Sequence, residues 1–245
     1  MNGCSFEPLS ETVSVCVSPE HRFGSDAFLL ADFAHARRRD VVCDLGTGCG
    51  IIPLLLARRD PPERIYAVEI QQQAVRQLSA SLAASRLQER IIPIHADLRT
   101  LKTPAAESCD LVTCNPPYQA AGRGFVSEEP AARIARHEML CTLEDVCRAA
   151  ARLLKTGGRL CLCQRPERLC DAMASLRAAR LEPKRLRFVS KTPQDAPWLF
   201  LIEGRKGGRP GLAVEPVLAV YEGERFSAEM EAVYGWDPAP KKGCE

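Results

Sequence analysis

No two cysteines in this chain are separated by two residues, although twelve of them occur in 245 positions. That absence removes zinc-ribbon and thioredoxin-type readings, which both need the C-x-x-C spacing. Most of the cysteines lie inside apolar runs such as Val41-Val42-Cys43 and Leu160-Cys161-Leu162-Cys163, where a free thiol acts as a small buried hydrophobe. A reducing, cytoplasmic setting is the expectation. No apolar run is long enough to cross a bilayer, so no membrane partner is expected, and Met1–Ser10 lacks the hydrophobic stretch of a signal peptide. His21, His35, His95 and His137 share no ligand spacing, so no metal is expected.

An excess of one charge is also lacking. Thirty-three Lys and Arg against 31 Asp and Glu leave a net charge of +2, which neither demands nor excludes nucleic acid. Local clusters say a little more: Arg37 to Arg39, then Arg180, Lys184, Arg185, Arg187 and Lys191, then Arg205, Lys206 and Arg209. They permit an RNA partner, with Arg185 and Arg187 as candidate contacts. Neither a repeat nor an inter-domain linker is visible. The reading is one domain over residues 1–245, with an N-terminal extension 1–39 and a tail 238–245 expected to fray.

What is present is an alternation of short β-rich runs with helical patterns, the signature of βαβ units and a parallel sheet. After an extended segment at Glu11–Ser18 and a leading helix at Asp26–Ala36, strands are expected at Asp40–Asp44, Arg64–Glu69, Arg90–His95 and Cys109–Cys114. Helices are expected at Ile51–Arg58 and Gln72–Ser85. A helix at Thr142–Leu154 takes Thr142 as its N-cap and Gly157-Gly158 as its stop. Strand Arg159–Cys163, helix Glu167–Ala179 and strands near Leu186–Ser190 and Trp198–Glu203 complete the order.

The first strand runs into Asp44-Leu45-Gly46-Thr47-Gly48-Cys49-Gly50. A glycine-rich turn between strand and helix, on the carboxyl edge of a parallel sheet, is where nucleotide-like ligands bind. A dinucleotide fingerprint starting at Gly46 would need a small residue at position 51, and Ile51 stands there. The pattern D-x-G-x-G-x-G resembles instead motif I of class I methyltransferases that use S-adenosylmethionine (SAM). The resemblance implies a Rossmann-like α/β fold with a seven-stranded, mostly parallel sheet and helices on both faces. It also implies that Asp44, Gly46, Thr47 and Gly48 form the cofactor turn. Glu69, at the tip of the second strand, can take both ribose hydroxyls on its two oxygens. Asp97 matches the acid that binds the adenine amino group of SAM in that superfamily. The competing reading, polar residues that merely end strands, must place three acids at three consecutive strand ends beside a glycine turn.

The fourth strand runs into Asn115-Pro116-Pro117-Tyr118. This resembles the N-P-P-Y motif of methyltransferases that act on amino groups attached to planar systems. An exocyclic amine is a poor nucleophile because its lone pair is conjugated into the ring. Two acceptors aimed at its hydrogens favour a tetrahedral nitrogen and free the lone pair. The resemblance implies that the Asn115 side-chain oxygen and the Pro116 carbonyl fill that role, with Asn115 also beside the cofactor, and that Tyr118 stacks on the swung-out base.

Three further stretches narrow the resemblance: Arg22-Phe23-Gly24-Ser25-Asp26-Ala27-Phe28 through Phe33, Ala135-Arg136-His137-Glu138 through Asp145, and Arg165-Pro166-Glu167-Arg168-Leu169. Together with the two motifs, from about Arg22 to Tyr221, the chain is similar to the bacterial tRNA1(Val) adenine-N6 methyltransferase family. The resemblance implies SAM as cofactor, S-adenosylhomocysteine as product, and tRNA as partner, methylated at adenosine 37. It also places Ser25 and Asp26 near the methionine end of SAM, although Asp26 can also be read as a helix cap. The loop Gln119–Glu129 with Arg123, the tail from Gly223, and the choice between monomer and homodimer stay open.

Alternatives share the catalytic motif but not the acceptor. A release-factor glutamine methyltransferase carries a helical domain ahead of the catalytic one, whereas about forty residues precede motif I here. Methyltransferases acting on guanine N2 of ribosomal RNA often add an RNA-binding domain, and none is evident. A silent SAM- or RNA-binding module has no chemical need for Asn115.

Overall fold

A computed structural model of the chain describes residues 4–18, 23–58, 61–116 and 141–235. Its centre is a sheet in which seven longer strands run in the order β5-β4-β3-β6-β7-β9-β8. These are β3 (Val41–Leu45), β4 (Arg64–Glu69), β5 (Ile91–His95), β6 (Cys109–Cys114), β7 (Leu154–Gln164), β8 (Leu181–Ser190) and β9 (Leu199–Lys206). All pairings are parallel except those of β9, which runs against both β7 and β8. Two short strands, β10 (Ala213–Val214) and β11 (Leu218–Ala219), extend the edge at β8, so the sheet has nine strands rather than the seven expected. Their two-residue length leaves too little pattern to be legible.

Apolar layers cover both faces of the sheet. On one side pack α1 (Ser25–Ala34), α2 (Ile51–Ala57) and α3 (Gln72–Ser85), through residues such as Leu30, Phe33, Leu54, Leu78 and Leu82. On the other lie α4 (Leu143–Leu153) and α5 (Leu169–Ala178), through Val146, Cys147, Leu153 and Leu176. Eight of the eleven described cysteines are buried and all eleven are free, as the apolar runs around them imply. Burial pushes the thiol of Cys161 up to about 12, which keeps it neutral within the core.

The extension ahead of β3 is a part of this packing. Its hairpin, β1 (Ser5–Pro8) with β2 (Ser14–Val17), lies against α3. There Cys16 N–H donates to Ser81 Oγ at 2.8 Å and Ser14 N–H to Ser85 Oγ at 3.1 Å. The sequence pattern offered a single extended segment, because the outer strand is exposed along its whole length and carries no alternation. At the other end of the chain, β12 (Tyr221–Glu222) pairs with β13 (Arg225–Phe226), and α6 (Ala228–Tyr234) closes over α1.

Helix α4 opens as expected. Thr142 Oγ1 accepts from Asp145 N–H at 3.1 Å, while Asp145 Oδ2 accepts from Thr142 N–H at 3.1 Å, a reciprocal cap. Its end differs. The helix stops at Leu153 and the chain enters β7 directly at Leu154. Gly157 and Gly158 lie inside a bulge between the pairs Cys109–Leu154 and Leu111–Arg159, not at a helix terminus. Gly157 has φ of +83°, and a Cβ on Gly158 would come within 2.9 Å of the Lys155 carbonyl. Both glycines therefore serve the bulge, which carries Lys155 onto Asp110 at 2.8 Å.

Candidate active site

The strand order reverses between β3 and β6: β4 and β5 lie on one side, β7 to β9 on the other. Such a switch point leaves a crevice at the carboxyl ends of the strands. The two sequence motifs are the continuations of those two strands, so topology alone brings Gly46 and Asn115 together. A cleft of about 300 Å³ opens there, at the small end of ligand-site volumes. Leu45, Val68, Leu98 and Val146 contribute apolar wall, and Glu69, Asp97 and Asn115 contribute polar groups.

The glycine turn is tied to β4. Gly46 and Thr47 N–H both donate to the Val68 carbonyl, at 2.9 and 3.0 Å. Gly46 and Gly48 have φ of +73° and +56°, with nothing within 4 Å of a built Cβ. Backbone conformation, not crowding, selects glycine here, and the open side is left to a ligand. Glu69 is 5% exposed. Its Oε2 accepts from Gly48 N–H at 2.9 Å and its Oε1 from Gln71 N–H at 2.8 Å. Each oxygen keeps a second lone pair for a hydroxyl donor.

Asp44 is 1% exposed and sits behind the turn rather than on the cleft wall. Its Oδ1 accepts from Thr113 Oγ1 at 2.6 Å. Its Oδ2 and the nearby Thr47 Oγ1 are buried without a hydrogen bond of good geometry. Burial pushes the Asp44 carboxyl up to about 6, against the pull of the Thr113 and Thr47 hydroxyls and with a further push from Glu69.

Asp97 lines the cleft but is already engaged. Arg99 Nε donates to both of its oxygens, at 3.0 and 2.9 Å, and Arg99 N–H adds a third bond at 2.8 Å. This arginine holds the Asp97 carboxyl below its ordinary value. Asn115 faces the cleft between two partners: Nδ2 donates to Asp26 Oδ2 at 2.9 Å, and Cys163 Sγ donates to Oδ1 at 3.1 Å. Pro116 is buried beside it on the same wall.

Of the expected site residues, Gly46, Gly48, Glu69, Asp97, Asn115 and Pro116 share one cleft. Asp44 and Thr47 stand behind it, and Asp26 reaches it through Asn115. Asp26 is not the N-cap of α1; Gly24 occupies that position. Ser25 is half-buried at the helix start and is not part of the cleft wall. Tyr118, the loop Gln119–Glu129 and Ala135–Glu138 fall outside the described residues. Thr113, Arg99 and Cys163 were not singled out from sequence. Thr113 becomes visible once β3 and β6 are paired, because it is the register partner of Asp44.

Two cations of the β8 stretch are paired within the fold. Arg185 Nε donates to Glu215 at 2.6 Å and Nη1 to Glu203 at 3.1 Å, with the guanidinium 4.2 Å over the Phe33 ring. Arg187 pairs with Glu229 at 2.6 Å and donates to the Pro216 carbonyl at 3.0 Å. Both side chains are engaged within the fold. Among the described residues, no group of three or more His, Cys, Asp or Glu is placed to hold a metal ion. Nor is any described helix long and apolar enough to cross a membrane.

Residues 20–178 match the family of methyltransferase small domains. The chain belongs to that family. The chain is 37% identical over 142 residues to a tRNA1(Val) (adenine(37)-N6)-methyltransferase of Aeromonas hydrophila, an alignment spanning 58% of either chain. It is 31% identical over 191 residues to a protein of the same name from Porphyromonas gingivalis, spanning 75% of this chain and 74% of the relative. A solved structure of a predicted O-methyltransferase from Agrobacterium tumefaciens superposes with a TM-score of 0.68 at 23% identity, covering 85% of this chain and 95% of that one. This last likeness establishes the methyltransferase fold, α/β and Rossmann-like. For the methyltransferase small domain, the switch-point cleft is therefore the place to seek the chemistry.

Proposed function

We propose that this methyltransferase uses SAM to methylate the exocyclic N6 amine of an adenine in tRNA, and that the target is adenosine 37 of a valine tRNA. The observation that carries the reaction class is the placement of Asn115 and Pro116 at the end of β6, across the switch point from the glycine turn. The names of the relatives carry the substrate.

The residues of the cleft suit SAM. Glu69 and Asp97 line the cleft, and Asp44 lies buried behind the glycine turn. They complement a ligand made of an ammonium, a sulfonium, ribose hydroxyls and an adenine amine, and they would repel a pyrophosphate. In this reading Gly46 and Gly48 hold the methionine moiety, Asp44 supports their turn from behind, and Thr47, Ser25 and Asp26 lie near it. Glu69 takes the ribose on its remaining lone pairs, and Asp97 takes the adenine amine beside Arg99. Bound SAM supplies an electrophilic methyl group on a sulfonium centre.

The chain's own contribution is to the amine. Asn115 Oδ1 and the Pro116 carbonyl accept its two hydrogens, which holds the nitrogen pyramidal and turns its lone pair outward. As the nitrogen–carbon bond would form and the sulfur–methyl bond break, leaving S-adenosylhomocysteine, positive charge would grow on that nitrogen, and the same two acceptors would stabilise it until a proton leaves to water. Tyr118 is assigned to stack on the extruded base.

The test is incubation with SAM and unmodified total tRNA, followed by nucleoside mass spectrometry. Appearance of N6-methyladenosine, mapped to position 37, supports the proposal. Methylation of ribosomal RNA or of a release-factor glutamine instead would keep the fold and replace the substrate.

A further inference from the structure

We propose that Asp26 and Cys163 act together as a clamp that fixes the amide of Asn115 with its oxygen as the acceptor, making both of them positioning residues for methyl transfer. The proposal rests on the reading of Asn115 as acceptor for the target amine. It gives Asp26 a task different from direct cofactor binding and assigns one to Cys163.

An asparagine amide has two ends of nearly equal shape and opposite function: Oδ1 accepts, whereas Nδ2 donates. With the amide reversed, Asn115 would present N–H groups to an amine that itself donates. The neighbours decide the orientation. Asp26 Oδ2 receives Nδ2–H at 2.9 Å, and a carboxylate oxygen accepts only. Cys163 Sγ–H donates to Oδ1 at 3.1 Å. Reversal would set Oδ1 against the carboxylate, losing a charge-assisted bond, and would leave the thiol only as a weak acceptor for Nδ2–H.

The clamp also acts on the strength of the acceptor. A hydrogen bond from Nδ2 to a carboxylate draws electron density through the amide toward Oδ1. That oxygen becomes a better acceptor as positive charge develops on the amine. The thiol uses one lone pair of Oδ1, and an amide oxygen carries two.

Three separate elements converge to build this arrangement: α1 brings Asp26, β6 leads into Asn115, and β7 brings Cys163. The pairing of Cys114 with Leu162 on neighbouring parallel strands sets the next residues, Asn115 and Cys163, side by side. Cys163 is fully buried, so water does not compete for Oδ1 from that side. A Cβ at Gly24 would lie 2.7 Å from Asp26 Oδ1, so a larger residue there would press on this carboxylate.

The experiment compares Asp26→Asn, Cys163→Ala and Cys163→Ser with the wild type, measuring kcat and KM on tRNA and SAM affinity by calorimetry. Asp26→Asn, which accepts either amide orientation, is expected to lower kcat by roughly tenfold or more while leaving SAM affinity within about threefold. Cys163→Ala is expected to lower kcat by about three- to tenfold, and Cys163→Ser, which keeps a donor, to restore it. Weakened SAM affinity with intact kcat in Asp26→Asn would overturn the clamp in favour of a direct cofactor contact. Equal activity of Cys163→Ala and the wild type would remove the thiol from it. A second measurement is free of the substrate: the side-chain amide protons of Asn115 in a ¹⁵N-labelled protein, assigned by their loss in Asn115→Ala. The clamp shifts them from ordinary asparagine positions and makes them move in Asp26→Asn and Cys163→Ala, and ordinary positions unchanged in both variants would contradict it. If wild-type protein leaves tRNA unmodified, the functional reading falls, while this spectrum still decides whether the clamp exists.

Discussion

Thr113 Oγ1 lies 2.6 Å from Asp44 Oδ1, a bond between register partners on the two strands that flank the switch point. It is the hydrogen bond that ties the end of the strand leading to Asn115 to the acid that opens the glycine turn. Removing it with Thr113→Val leaves a buried carboxyl with neither oxygen well partnered. The expected loss is about 1.5–3 kcal/mol in urea unfolding, the range for a bond to a charged group. A loss below 0.5 kcal/mol, roughly the level of an ordinary surface change, would show that the pair is idle.

The same carboxyl makes stability depend on pH. Its value is about 6 in the fold against 3.8 ordinarily, so the folded chain holds this proton more tightly than the unfolded one. The contribution is fully present below pH 4 and is lost as pH rises through about 6. The expected size is at most about 3 kcal/mol, from 1.36 kcal/mol per pH unit. Asp44→Asn carries no such proton. Whatever constant cost the amide has, the difference between variant and wild type should shift in favour of the variant, by about 2 kcal/mol, between pH 4 and pH 8. Parallel urea curves at the two pH values would disprove the raised value.

Glu69 holds two backbone N–H groups while facing the cleft. Its glutamine variant is therefore not conservative: one oxygen becomes an NH2 that confronts either Gly48 or Gln71. Both Glu69→Gln and Glu69→Ala should weaken SAM binding by roughly thirtyfold or more and lower Tm, since the buried donors left behind cost about 1–3 kcal/mol. Calorimetry that finds SAM affinity unchanged in both variants would place the ribose elsewhere.

The strands Arg64–Glu69 and Cys109–Cys114 and the helix Gln72–Ser85 fall where their pattern put them. Each has a clean apolar run or stripe bounded by polar or turn residues. The motif residues were legible because they end strands, and a parallel sheet collects strand ends at one edge. What the pattern hides is lateral register. That Cys163 stands beside Asn115, and Thr113 beside Asp44, depends on which strands are neighbours and on a bulge at Gly157 and Gly158. Local spacing does not encode either. The cations of β8 illustrate the same gap, since their carboxylate partners, Glu203, Glu215 and Glu229, come from three later segments.

Arg185 should consequently behave as a structural residue. Glu203, 1% exposed, would keep only the longer contact to Arg205 at 3.4 Å if Arg185 were removed. Arg185→Ala is expected to cost about 2–4 kcal/mol in urea unfolding, toward the lower end of buried-pair losses because the arginine is partly exposed. Arg185→Lys should recover little, as the ammonium supplies neither the fork to two carboxylates nor the stack on Phe33. The salt dependence of tRNA binding should keep its slope in both variants, because no phosphate contact has been lost. A slope shallower by about one, with stability intact, would return Arg185 to the RNA face.

Asn115→Ala separates chemistry from binding. The amide contributes an acceptor whose value rises as charge develops on the target nitrogen, so its loss falls on the transition state more than on the ground state. Turnover should be abolished, or reduced by roughly a thousandfold, while SAM affinity stays within about tenfold. The variant also leaves Asp26 and Cys163 without their shared partner, so a modest fall in Tm is expected as well. Substitution by Asp, which keeps an oxygen toward Cys163 but sets a carboxylate against Asp26, should be nearly as inactive as Ala, because like charges displace the group from the cleft. Retention of wild-type turnover in Asn115→Ala would leave the Pro116 carbonyl as the sole assigned acceptor and contradict the two-acceptor mechanism.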